Sequence, residues 1–312
     1  MQDSRLFELA RSGRRLPHWL VVLVMSVVFI LAAQVVGGIG LAFILLVLNS
    51  TSASGTGPDT VQAVRRLLAV DSALEQTLLL VCLFGPIFIL LWVWLALVEK
   101  RGLWTLGLER QAAAQKYLRG LGVGLVMFGL SVGISALPGY MAPEQTGDGP
   151  RGLAALGGVA LVFLGWMVQG AAEEALARGW ILPTLGARYR PWIGVAASAG
   201  LFAVFHSFNP HLGPIAVLNL FLFGLFTALY ALSEGSIWGV CGVHTAWNWA
   251  QGNLFGLQVS GLASPAGTLF DLMETGPDLI TGGAFGPEGG LAVTAVLLLA
   301  SFAVWKLAPR LT

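Results

Sequence analysis

Eight mostly apolar runs set the pattern of this chain: 19–48, 77–98, 120–138, 153–185, 191–208, 214–232, 237–257 and 290–305. Runs of roughly 17 residues or more with few charges are long enough to cross a bilayer as helices. They predict an all-α fold, a polytopic membrane helical bundle of about eight transmembrane helices. The first run outlasts the apolar stretch of about 7–15 residues found in a signal peptide, so it reads as a retained helix. Gly37, Gly38 and Gly40 would let so long a helix tilt or bend. Between the sixth and seventh runs, Ser233-Glu234-Gly235-Ser236 is a turn signal, which predicts an antiparallel helical hairpin. The segments 49–76 and 258–289 are rich in Gly, Ser and Pro and read as loops or short interfacial helices. No linker parts the runs and no inverted repeat is visible, so 1–312 reads as a single integral membrane domain.

Composition strengthens the membrane reading. Of 312 residues 56% are hydrophobic and 11% charged, with a mean hydropathy of +0.79, whereas soluble domains carry roughly 25% charged residues. The net charge is +1 and Lys and Arg are scattered, which leaves no basic patch for nucleic acid. Their distribution instead gives an orientation. With the amino terminus inside, the inner segments hold Arg5, Arg11, Arg14, Arg15, Lys100, Arg101, Arg110, Lys116, Arg119, Arg178, Arg188, Arg190, Lys306 and Arg310; the outer ones hold Arg65, Arg66 and Arg151. That asymmetry predicts both termini in the cytoplasm of an inner or plasma membrane. Cys82 and Cys241 lie in apolar runs, make no metal-spacing or disulfide framework, and read as small core residues.

An ionisable group inside a bilayer costs on the order of 3 kcal/mol on insertion scales, so each one asks for a partner or a function. Within the predicted spans stand Glu173, Glu174, Arg178, His206 and His244, with Asn248 as a further strongly polar amide. Glu174 and Arg178 are four apart and share a helix face, where an ion pair can form. Glu173 is rotated from Glu174 by about 100° and looks elsewhere. One carboxylate can therefore be held by the arginine while the other faces a cavity. His244 and Asn248 repeat the four-residue spacing on the seventh helix, and Phe202 and His206 on the fifth, the phenyl ring packing under the imidazole. Counting about 1.5 Å per residue from the cytoplasmic boundary puts Glu173 roughly 18 Å and His206 roughly 22 Å inward. His244 comes out shallower unless the turn 233–236 is sunk into the membrane. A hydrated cavity with a carboxylate base, two imidazoles and a carboxamide has the parts for peptide hydrolysis: Glu173 and His206 to activate water, His244 and Asn248 to donate to an oxyanion.

Glu-Glu-x-x-x-Arg (173, 174, 178), Phe-x-x-x-His (202–206) and His-x-x-x-Asn (244–248), in that order on successive helices, closely resemble the three motifs of the CPBP family, which includes the type II CAAX prenyl endopeptidases and bacterial Abi proteins. The resemblance covers about residues 155–255. It implies an eight-helix intramembrane glutamic endopeptidase, without metal or other cofactor, whose site opens toward the cytoplasm. It also implies that Glu173 and His206 activate the water, His244 and Asn248 form the oxyanion hole, and Glu174 with Arg178 supports the site. Membrane lipid and a membrane-associated or prenylated peptide or protein are the implied partners.

Plainer readings stand beside these. Glu174 and Arg178 could be a buried pair that only locks helices, Glu173 a second structural carboxylate, and each histidine an interhelical hydrogen-bonding residue. Glu173, His206 and His244 could alternatively hold a zinc ion, although the His-Glu-x-x-His arrangement is absent. From another class, a proton-coupled transporter or a non-catalytic immunity or scaffold protein would also carry polar groups in its spans. Gly129-x-x-x-Gly133 and Asn219 read as packing features, and Trp247 and Trp249 as packing or interfacial aromatics.

Overall fold

A computed structural model describes residues 4–52, 71–144 and 149–307. The expected all-α membrane bundle forms. Its helices are α1 (Arg5–Arg11), α2 (Trp19–Ser52), α3 (Ala73–Trp94, prolonged by a π-helical turn at Leu95–Glu99), α4 (Ala113–Ala136) and α5 (Leu156–Glu174). A π-helical stretch, Ala175–Ile181, joins α5 to α6 (Leu182–Arg188); then come α7 (Pro191–Phe205), α8 (Pro214–Glu234), α9 (Trp238–Trp249, with a π turn at Ala250–Leu254), α10 (Asp278–Thr281) and α11 (Leu291–Leu307).

Among the described residues, five helical stretches are long and apolar enough to cross a membrane: Trp19–Leu48, Ala73–Glu99, Ala113–Ala136, Gly152–Arg188 and Pro214–Glu234. Pro191–Phe205 and Leu291–Leu307 are apolar but shorter. Of the two loop segments, 53–70 lies outside the described residues, and 258–289 carries α10 and a strand, Leu272–Glu274, paired antiparallel with Met141–Pro143.

Local chemistry explains the helix ends. Ser72 caps α3 by accepting from the Glu75 N–H, and the Glu75 carboxylate accepts from the Ser72 N–H in return. Proline opens α7 and α8, where a missing N–H leaves nothing unpaired. Gly235 closes α8 in the left-handed conformation that glycine adopts without strain.

Glycine also sets how close α9 comes to α4. A Cβ on Gly242 would run into the Tyr117 carbonyl, and one on Gly120 into the carbonyl of Gly239. Both obstacles are backbone, so neither side can yield. Gly242→Ala is therefore expected to destabilise the protein by about 1–3 kcal/mol or more, read as a lowered melting temperature in detergent. The pair Gly129 and Gly133 does not serve this purpose: a Cβ on either meets open space, so the packing role expected of them falls to Gly120 and Gly242.

The bundle has two distinct ends. At one, Arg14 N donates to Glu99 O, Ile237 N to Gly107 O, and Ser4 Oγ to Leu232 O at 3.1 Å; Arg188 bonds Leu16 O, and Arg119 pairs with Glu234. At the other, Ser264 Oγ donates to Gln76 Oε1 at 2.9 Å, Asn209 Nδ2 to Ser260 O at 3.1 Å and Thr275 N to Tyr140 O. The amino-terminal segment belongs to the first end, as does the carboxyl end of α11, which starts from the second. Side chains such as Val35, Ile39 and Phe43 on α2 are more than 60% exposed, the condition of a helix face that meets lipid rather than water.

Candidate active site

The site begins with a deformation of the α5–α6 helix. Pro183 cannot donate to the carbonyl of Gly179, and its ring crowds that carbonyl. The backbone widens over Ala175–Ile181 just ahead of it, as helices do where the regular ladder is interrupted. The wide stretch follows directly on Glu173 and Glu174.

These neighbours have different surroundings, as their angular separation predicts. Glu174 is fully buried; its Oε1 lies 3.2 Å from Arg178 Nη1 and 2.9 Å from His244 Nδ1. Glu173 keeps 18% of its side chain exposed; its Oε1 accepts from Gln169 Nε2 at 2.8 Å, and its Oε2 lies 3.8 Å from His244 Nε2. At that separation the contact is not a hydrogen bond, and Oε2 has no hydrogen-bond partner among the described residues.

Two imidazole tautomers follow from the partners. His244 Nδ1 faces a carboxylate oxygen already shared with Arg178, which can only accept, so Nδ1 carries the proton. Only Nε2 then faces Glu173, and it donates only when the ring holds both protons. His206 Nδ1 lies 2.7 Å from the Phe202 carbonyl, again an acceptor, so its Nε2 is left free. His206 is the residue that ends α7 rather than one inside it.

Phe202 ties the motifs together. Its ring lies 4.7 Å from that of His206 at a tilt of 44°, meets His244 edge-on at 5.9 Å, and lies 4.5 Å beneath the Arg178 guanidinium carbon. The aromatic face partly offsets the burial of Arg178, whose Nε and Nη2 have no hydrogen-bond partner among the described residues.

Asn248 enters through a residue that the sequence reading passed over. Ionised Glu173 only accepts, so Gln169 must turn its NH2 toward it; Gln169 Oε1 is thereby left to accept from Asn248 Nδ2 at 2.9 Å. One carboxylate thus orients two amides, and the second N–H of Asn248 remains available. The spacing of Gln169 and Glu173, four residues on one helix, was the available signal.

Glu288 was also missed. Its carboxylate accepts from Trp247 Nε1 at 3.2 Å and from Ser260 N and Oγ at 2.8 and 2.6 Å, while its carbonyl accepts from Asn219 Nδ2 at 2.8 Å. Asn219 also bonds Gly290 O and Thr294 Oγ1, so it is the satisfied packing residue that was expected. Trp247 packs against Phe128 and Phe223, and Trp249 against Phe163.

The depth mismatch disappears because the turn after α8 is tucked into the protein. Ser236 and Ile237 are buried, and both bond the Gly107 carbonyl. This raises His244 to the level of Glu174.

Glu173, His206, His244, Gln169 and Asn248 line one cavity of about 640 Å³, and Glu288 lines it nearer its mouth. Glu174 and Arg178 stand behind the wall. The cavity reaches Gln76, Asn209 and the 259–265 segment, which form the end of the bundle opposite to the amino-terminal segment. Cytoplasmic termini and a cytoplasmic opening were both expected; the cavity mouth lies at the end of the bundle opposite to α1 and to the carboxyl end of α11. Helix direction is the reason, since α7 ends at His206 on the loop side. Among the described residues, no group of three His, Cys, Asp or Glu side chains is placed to hold a metal ion.

Residues 155–250 match a family model described as Type II CAAX prenyl endopeptidase Rce1-like. The match supports a CAAX-protease-type enzyme and agrees with an integral membrane location. No curated protein and no solved structure matches the chain.

Proposed function

We propose that this chain is an intramembrane endopeptidase that hydrolyses a peptide bond in a membrane-associated substrate, lipid-modified ones included, with water activated by Glu173 and His206. The observation that carries the reading is the division of labour between adjacent carboxylates: Glu174 is buried against Arg178 and His244, while Glu173 faces the cavity with Oε2 unbonded.

Glu173 takes a proton from water while the oxygen attacks the carbonyl carbon, and the free Nε2 of His206 is a second acceptor for that water. Charge then gathers on the carbonyl oxygen. The unused N–H of Asn248 and the Nε2–H of doubly protonated His244 are the donors for it. As the tetrahedral intermediate collapses the C–N bond breaks, Glu173 returns its proton to the leaving nitrogen, and an acid and an amine depart. Glu174 and Arg178 act through His244 by fixing its ring. The motif-bearing core of about 155–255 does this within a single membrane domain with both termini in the cytoplasm, where Lys and Arg collect.

The test is cleavage of a lipidated membrane peptide by the purified protein, with and without a chelator. Cleavage that survives chelation and disappears in Glu173→Ala is the expected result; loss on chelation, restored by zinc, overturns the metal-free mechanism. Gln169→Leu keeps the side chain's bulk but removes both hydrogen bonds, and its kcat is expected to fall roughly 10- to 100-fold by misplacing Glu173 and Asn248, with KM little changed.

A further inference from the structure

Among the described residues, the proposed protease site is closed toward one end of the bundle and open toward the other. Toward the end that holds the amino-terminal segment it is closed by side chains without solvent exposure: Leu6, Phe7, Trp180, Leu182, Leu232 and Ile237 belong to one buried cluster. Glu99 is also buried there, with its carboxylate accepting from Trp94, Trp180 and Arg101. Water therefore does not reach Glu173 from that side. At the opposite end the lining runs outward through Asn209 and Ser264 to Phe208 and Leu262, which are 98% and 57% exposed.

Charge tells which end faces the cytoplasm. Among the described residues Arg151 is the one Lys or Arg in the layer around the mouth; the others, Arg178 in the wall apart, sit at the closed end. Arg65 and Arg66 are the sequence's further candidates for the mouth side, against thirteen others outside the wall. Basic residues retained on the cytoplasmic side of short loops fix the orientation of a multi-span protein, so the closed end is cytoplasmic.

We infer that the catalytic cavity opens to the exoplasmic face of the membrane, and that the chain it receives is a segment of an exported, membrane-anchored polypeptide presented from that face. The inference rests on the endopeptidase reading for what is done to that segment, but not for the opening. A carboxyl-terminal peptide entering along the bundle axis from the cytoplasmic end would have to pass the buried cluster beneath Trp180 to reach Glu173. An exoplasmic segment meets the exposed Phe208 and Leu262 first, an apolar rim suited to a stretch that leaves the lipid.

Two measurements separate the parts. In a background with Cys82→Ala and Cys241→Ala, Leu262→Cys marks the mouth and Ser12→Cys the closed end. A membrane-impermeant maleimide added to intact cells is expected to label Leu262→Cys at once and Ser12→Cys only after permeabilisation; the reverse pattern overturns the inference. Reporter proteins carrying the same cleavable segment on either face of the membrane are then co-expressed with the protein and with Glu173→Ala. Loss of the exoplasmic reporter alone, dependent on Glu173, is expected. Glu173-dependent loss of the cytoplasmic reporter alone overturns the substrate assignment. Cleavage of neither, with the expected labelling, overturns both the substrate assignment and the protease reading and leaves the opening standing.

Discussion

Glu173→Ala is expected to lower kcat for peptide cleavage by about 10²–10⁴-fold, the span a positioned general base contributes, while the protein melts within a degree or two of the parent. The asymmetry follows from the surroundings. Glu173 is partly exposed in a cavity, and one of its oxygens has no hydrogen-bond partner among the described residues. Truncation leaves only Gln169 Nε2 without its acceptor, and the cavity can offer that group water. Nothing in the packed core depends on Glu173. Activity is measured on a lipidated peptide in detergent or lipid and stability by thermal unfolding of the same preparation. Full activity in the variant removes Glu173 from the mechanism. A large drop in melting temperature would instead make it a structural carboxylate.

The contrast between neighbours was legible in the sequence because bilayers penalise charge so heavily. Few ionisable groups survive in apolar runs, and helix spacing alone sets Glu174 with Arg178 and turns Glu173 away. That His244, Asn248 and His206 would line the same hollow was legible too, since the same logic applies to three runs in succession. Gln169 escaped because a neutral amide carries a smaller penalty and drew no notice, although the network around Glu173 passes through it. Glu288 escaped for another reason: it lies in the 258–289 segment, 44 residues beyond His244 in sequence, and only the return of the loop over α9 brings it to Trp247. The direction of the mouth was not readable from motifs, because it depends on which helix ends splay apart. Glycine was half legible: the spacing at 129 and 133 suggested close packing, but a glycine matters only where another backbone arrives, and that happens at Gly120 and Gly242.

Behind the cavity wall the opposite balance holds, and one set of variants exposes it. Arg178→Met strips Glu174 of its cation in a place with no solvent exposure on either side chain. Breaking a buried pair by removing one partner costs about 3–5 kcal/mol, because the remaining charge stays desolvated. The expected result is a protein that melts far below the parent or fails to accumulate. The double variant Glu174→Leu with Arg178→Met removes both charges and approximately keeps the volume, and buried pairs replaced in this way are often neutral or even stabilising. Its melting temperature is therefore expected to recover most of the loss. Cleavage is not: His244 Nδ1 has then lost the carboxylate that fixes its tautomer, and the ring is free to turn away from Glu173. Recovered stability with recovered activity would mean that the pair only locks helices. Recovered stability without activity assigns it the orientation of His244, because a purely structural pair would have returned both together.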